Sequence, residues 1–177
     1  KRQGYPLNCR DQDGGEGLPG KDERALFEVL SLEIFQAGLS WELVLKKRPG
    51  TVAAFDGFDV DTVAAYGEAD VARLLDNAQI IRNRLKVRAI IYNAGVLQGL
   101  RDSHGGFPQW IEAHHPQDLA GWVKLFRKTF KFTGPEVVNE FLMSTGYLKG
   151  AHRENCPVFE KIKKTSPPWM QVLKNTR

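Results

Sequence analysis

Apolar residues in this 177-residue chain return at every third or fourth position, and no stretch of useful length alternates apolar with polar. That pattern limits the chain to packed amphipathic helices, because a strand with one buried face needs a period of two. The clearest stripe is Val87, Ile90, Ile91, Ala94 and Leu97, which predicts a helix over about 85–100. A second stripe begins after Asp22, a suitable N-cap, and carries Leu26, Val29, Leu30 and Ala37 up to Gly38. Shorter helices are expected over 41–47, 61–66 and 69–76, around Trp110 and Ile111, over 119–128, and from Pro135 to Gly146. The expected class is all-α. Residues 1–20, dense in glycine and proline, read as an arm or loop; 21–156 read as the helical domain. The segment 157–177, with Ser166, Pro167 and Pro168, reads as an extended or disordered surface tail.

The length allows a sizeable core in one compact domain, and a monomer is the expected state. A net charge of +4 suits a protein that meets a polyanion, although charge alone does not select one. The two cysteines, Cys9 and Cys156, lie far apart, which fits a reducing cytoplasmic setting better than a disulfide framework. No apolar run is long enough to span a bilayer, and the first residues lack the layout of a signal peptide, so no membrane partner is expected.

One residue breaks the pattern of the first helix. Glu33 follows Leu26 by seven positions and Leu30 by three, which puts a carboxylate on the apolar stripe. Taking a carboxylate out of water costs several kcal/mol, so such a group has a partner, lines a cavity or takes up a proton. It is either an edge-of-stripe or arginine-paired glutamate, or part of a site. The sequence Gln36-Ala37-Gly38-Leu39-Ser40-Trp41 favours a site, because a helix ending at Gly38 and restarting at Ser40 brings an indole near the end of the Glu33 helix. An indole that stacks on a base, beside a carboxylate that accepts from its exocyclic amine, is a common way to hold an extrahelical purine. Downstream, Arg82, Arg84, Lys86 and Arg88 crowd a seven-residue span between two helices, a layout suited to phosphates and read as DNA-binding through Arg82, Arg84 and Lys86. The alternative is a solvated basic loop. His152 and Cys156, four residues apart, could both reach one zinc ion, but two ligands do not complete a site.

Taken in order, Leu26-Phe27-Glu28, Leu32-Glu33, Gln36 to Trp41, Val44-Leu45-Lys46-Lys47-Arg48, Ile80-Ile81-Arg82-Asn83-Arg84 with Lys86, Phe130-Lys131-Phe132-Thr133-Gly134, and His152 with Cys156 resemble the DNA-3-methyladenine glycosylase I family. The resemblance implies a helix-hairpin-helix glycosylase fold, with helical lobes around a base-binding cleft. It implies base-excision repair: monofunctional hydrolysis of the N-glycosidic bond of 3-methyladenine in double-stranded DNA, with the damaged base flipped out. Glu33 and Trp41 fall on the family's base-pocket positions, Glu33 as the catalytic carboxylate. The position at which relatives in the wider superfamily carry a Schiff-base lysine falls on Val87, and no cofactor is needed for the chemistry. A non-catalytic DNA-binding protein and a glycosylase for another damaged base are the alternatives.

The chain departs from the family at two places. Where the family has a Tyr-His pair before the proline matching Pro19, this chain has Asp11 and Gln12, so the structural zinc of the family is expected to be absent or incomplete here. Leu85 stands where the hairpin turn usually has glycine, which questions whether the turn needs a positive φ.

Overall fold

A computed structural model describes residues 22–151 and 157–174 of the chain. The described residues are helical and contain no strand. They fall into two compact units, Asp22–Val138 and the residues from Asn139 onward.

The larger unit begins with α1 (Glu23–Gln36), capped as expected: the Asp22 carboxylate accepts from the Ala25 amide at 2.8 Å. Its face of Leu26, Phe27, Leu30 and Ile34 is buried. Next comes α2 (Trp41–Ala54), which runs well past the expected end at Lys47 and continues through Pro49. Proline removes one helical hydrogen bond, so tertiary contacts must hold the second half of α2. Two contacts from residues 78 and 79 do so, helped by one side-chain bond inside the helix. Lys47 Nζ donates to the Ala78 carbonyl at 2.6 Å, and Thr51 Oγ1 donates to the Lys47 carbonyl at 2.9 Å. Gly50 lies so close to Gln79 that an added Cβ would come within 2.6 Å of that residue's own Cβ and 2.9 Å of its carbonyl oxygen.

A left-handed turn follows, with φ of 50° at Asp56, 65° at Gly57 and 57° at Phe58. Packing holds Phe58 there, fully buried, stacked on Phe55 at 5.4 Å and edge-on to Phe27 at 5.5 Å, while the exposed Asp56 accepts from the Tyr66 hydroxyl. Short helices α3 (Val60–Ala64) and α4 (Glu68–Asp76) lead to the 21-residue α5 (Arg84–His104). This is the helix with the clearest stripe, and it packs against α1, α3, α4 and the following α6 (Phe107–His114). It extends beyond the expected end to His104. Then come α7 (Leu119–Thr129), with Trp122 and Phe126 buried, and α8 (Pro135–Ser144), which opens on proline as expected.

In the smaller unit, Phe141 and Leu142 at the end of α8 are fully buried, and the Leu142 carbonyl accepts from the amides of Tyr147 at 2.8 Å and Leu148 at 3.1 Å. Residues 157–174 are not the extended tail expected from Pro167 and Pro168. They form α9 (Pro157–Lys164) and α10 (Pro168–Lys174). The prolines interrupt the helical path but do not prevent it, since Pro168 occupies a first helical position where its missing N–H costs nothing. Phe159 and Ile162 are buried, and Phe159 stacks with Trp169 at 6.4 Å.

Candidate active site

Glu33 lies in the last turn of α1 and is 4% exposed, so the carboxylate on the apolar stripe is buried. The helix ends three residues later in a tight turn. The Ala37 amide donates to the Glu33 carbonyl at 3.1 Å, Gly38 takes a left-handed φ of 81°, and the Leu39 amide returns to the Gln36 carbonyl at 2.7 Å. Glycine suits Gly38 because a side chain at that φ is strained. Ser40 then caps α2, its hydroxyl accepting from the Leu43 amide at 3.3 Å, and Trp41 is the first helical residue. Only this four-residue turn separates the helix of Glu33 from the half-buried indole.

The hairpin connects α4 to α5. Asn77 closes its first corner by accepting from the Gln79 amide at 2.8 Å, Ile80 anchors it in the core, and Asn83 caps α5 by accepting from the Lys86 amide at 3.1 Å. Leu85, 71% exposed, is helical with negative φ, so the turn requires no glycine at that point. Arg82 and Arg84 are exposed beside the N-terminus of α5, whose first amides point outward. Arg88 is committed to Glu68, at 2.9 and 3.0 Å.

Lys86 does not belong with these surface cations, and the expected phosphate contact must be corrected. Its side chain is 5% exposed, and Nζ donates to the carbonyl oxygens of Phe35 at 2.8 Å and Ala37 at 2.6 Å, at the end of α1. Burial pushes its pKa below the ordinary lysine value. The signal was present in the sequence: Lys86, Ile90, Asn93 and Leu97 follow helical spacing, and all four are buried on one face of α5.

Asn93 is a second polar residue on that buried face, with a role the sequence did not assign. Fully buried, it donates from Nδ2 to the Lys131 carbonyl at 3.1 Å and accepts at Oδ1 from the Lys131 amide at 2.8 Å. This fixes the Phe130-Lys131-Phe132-Thr133-Gly134 segment on α5. Within it Phe132 sits at φ 61°, 41% exposed, with the Lys86 ammonium 5.7 Å from its ring centre. Cys9, Asp11, Gln12, His152 and Cys156 lie outside the described residues. Among the described residues, no group of three or more His, Cys, Asp or Glu side chains is placed to hold a metal ion, and no helix is long and apolar enough to cross a membrane.

The chain that carries this buried carboxylate, this indole and these exposed arginines is similar in sequence and fold to known proteins. The model of the methyladenine glycosylase family matches residues 4–120. The DNA-3-methyladenine glycosylase 1 of Escherichia coli (strain K12) is 35% identical over 162 residues, covering 81% of this chain and 87% of that protein. A crystal structure of a 3-methyladenine DNA glycosylase I superposes with a TM-score of 0.75 at 33% identity, covering 88% of this chain and 95% of the other. The Staphylococcus aureus enzyme, in a structure concerned with its recognition of 3-methyladenine, gives a TM-score of 0.76 at 30% identity, covering 88% of this chain and 93% of that one. With most of its length matched by the family model and by full-length relatives a third identical to it, the chain belongs to the methyladenine glycosylase family.

Proposed function

We propose that this chain is a monofunctional DNA glycosylase of base-excision repair that removes 3-methyladenine from alkylated double-stranded DNA. Arg82 and Arg84 hold phosphates beside the N-terminus of α5, and the damaged nucleotide turns out of the stack towards the end of α1. Trp41 stacks on the flipped purine. Glu33 accepts hydrogen bonds from the modified base and favours its positive charge.

The chemistry asks little of the protein. Methylation at N3 gives adenine a positive charge, so the base is already a good leaving group and needs no strong acid. Water adds to C1′ of the sugar as the bond from C1′ to N9 breaks; the bonding electrons leave with the base as neutral 3-methyladenine, and the proton of the attacking water passes to solvent. No cofactor takes part in these steps. A monomer acting on DNA in the cytoplasm suffices.

The observation that carries this reading is the buried carboxylate of Glu33, one tight turn from Trp41, in a chain of this family. The test is release of free 3-methyladenine from methylated duplex. Glu33→Gln, which keeps shape and loses charge, is expected to slow release by about 10²-fold, as loss of one electrostatic group in a dry site does, with duplex affinity nearly unchanged. Undiminished release by the variant would remove Glu33 from the mechanism. A wild-type protein that binds duplex but frees no base from methylated DNA would indicate a DNA-binding protein, and release of a different lesion from a panel would reassign the substrate.

A further inference from the structure

We infer that Lys86 is a positioning residue whose buried ammonium fastens the phosphate-facing hairpin to the carbonyl end of the helix bearing Glu33, making seating on DNA and holding of the base one rigid event. The inference rests on the site reading above and adds a residue to it.

A helix leaves its last carbonyls without helical partners, and buried ones must find others. The Glu33 carbonyl accepts from the Ala37 amide and the Gln36 carbonyl from the Leu39 amide. The carbonyls of Phe35 and Ala37 are taken by Lys86. α1 has no basic residue of its own in its last turn, so the positive charge at this helix end comes from another element.

Lys86 works in two directions at once. Its amide donates to Asn83 and so closes the cap of α5 directly beside Arg82 and Arg84, while its ammonium grips the turn that delivers Trp41. The ring of Phe132, held over the ammonium by the Asn93 clamp on Lys131, shields this junction from a third side. Ion and dipole meet here at a buried ammonium, and among the described residues no carboxylate is a hydrogen-bond partner of Nζ. Burying an ammonium against neutral carbonyls is a poor route to stability. It is a good way to fix one segment against another, since the ammonium reaches both carbonyls from a single anchored stem.

The test compares Lys86→Met, which keeps the stem and loses the donors, with the wild type and with Glu33→Gln. Three quantities are read well below the melting temperatures: single-turnover excision from a methylated duplex, affinity for free 3-methyladenine, and the slope of log duplex affinity against log salt. Lys86→Met is expected to lower excision by about 10²-fold, the effect of a reacting group displaced by about 1 Å. Free-base affinity is expected to fall less than about threefold and the salt slope to stay within about 0.3 of the wild-type value, because pocket and phosphate contacts each survive singly.

A slope reduced by about one would make Lys86 a phosphate contact and overturn the inference. So would unchanged excision, or a loss of free-base affinity as large as the loss of excision. If Glu33→Gln is inactive while Lys86→Met is fully active, only the positioning role fails; if Glu33→Gln is itself fully active, the site reading fails first. Should Lys86→Met not fold, the wild-type protein still decides the matter through the ¹⁵Nζ resonance of Lys86. That signal must shift when a short undamaged duplex binds and again when free 3-methyladenine binds, and a response to only one of them, or to neither, refutes the tie.

Discussion

The two ends of α5 treat a positive charge in opposite ways. Near the N-terminus Lys86 is buried and bonded to neutral carbonyls; near the C-terminus Arg101 is exposed and bonded to two carboxylates, Glu23 at 2.7 Å and Asp61 at 2.8 Å. By charge matching alone Arg101 is the better placed. By consequence it is the lesser, because water and salt compete at the exposed Arg101 and Asp61, and only Glu23, with 20% of its side chain exposed, is part-buried. Removing Lys86 takes the ammonium from the carbonyl of buried Phe35 and from that of half-buried Ala37. The importance of a cation in this fold is set by what its loss would leave unsatisfied.

Four measurements bear on that contrast. The largest effect belongs to Asn93, which shares the buried face with Lys86. Asn93→Ala leaves both the amide and the carbonyl of Lys131 without their partner and is expected to cost about 2–4 kcal/mol in urea denaturation. A loss below about 1 kcal/mol would mean that the buried face of the helix is no more demanding than its exposed C-terminal end. Next comes Arg84→Ala at the exposed hairpin. It should leave stability alone, weaken damaged and undamaged duplexes alike, and lower the slope of log affinity against log salt by about one. If the slope holds while base selectivity disappears, Arg84 belongs to the pocket.

The third effect is smaller. Arg101→Met removes the ion pairs at the C-terminal end and should shift the melting temperature by no more than about 3 °C, a difference that shrinks further as salt is added. The smallest is its acid dependence. Hydrogen bonds from Gln98 and then Arg101 hold the Asp61 carboxyl below its ordinary value of 3.8, so its contribution is present in full above that pH and is lost as pH falls through the lower folded value. The melting difference between wild type and Arg101→Met should therefore narrow as pH falls below 3.8. A gap that widens in acid would contradict the pairing.

Helices whose stripes rest on apolar spacing were readable directly. The stripes of α1 and α5 place the core faces, and the caps at Asp22 and Pro135 stand where local chemistry puts them. What sequence could not reach depended on contacts made by distant segments. Nothing local says that Pro49 will be tolerated, because the contacts that hold α2 together come from Ala78 and Gln79. Pro167 and Pro168 likewise read as an end, although burial of Phe159 and Ile162 supports α9 just before them.

The site shows the same division. Glu33 stood out because its residue type contradicts its position on the stripe, and its burial in the structure agrees with that reading. Lys86 contradicted its position just as strongly, but the neighbouring arginines made a basic cluster the simpler reading. Two of the three cations grouped by sequence are exposed, and the third turns inward.

The Asn93 clamp also has a bearing on time. Lys131 is an exposed residue in a connection between helices, where an amide proton ordinarily trades with solvent almost as fast as in a free peptide. Here its N–H is bound to a side chain that is itself fully buried on α5, so release requires the central helix to let go. The deuterium clock at this one loop position should therefore run at the pace of the core, and global opening, not local fluttering, should set it.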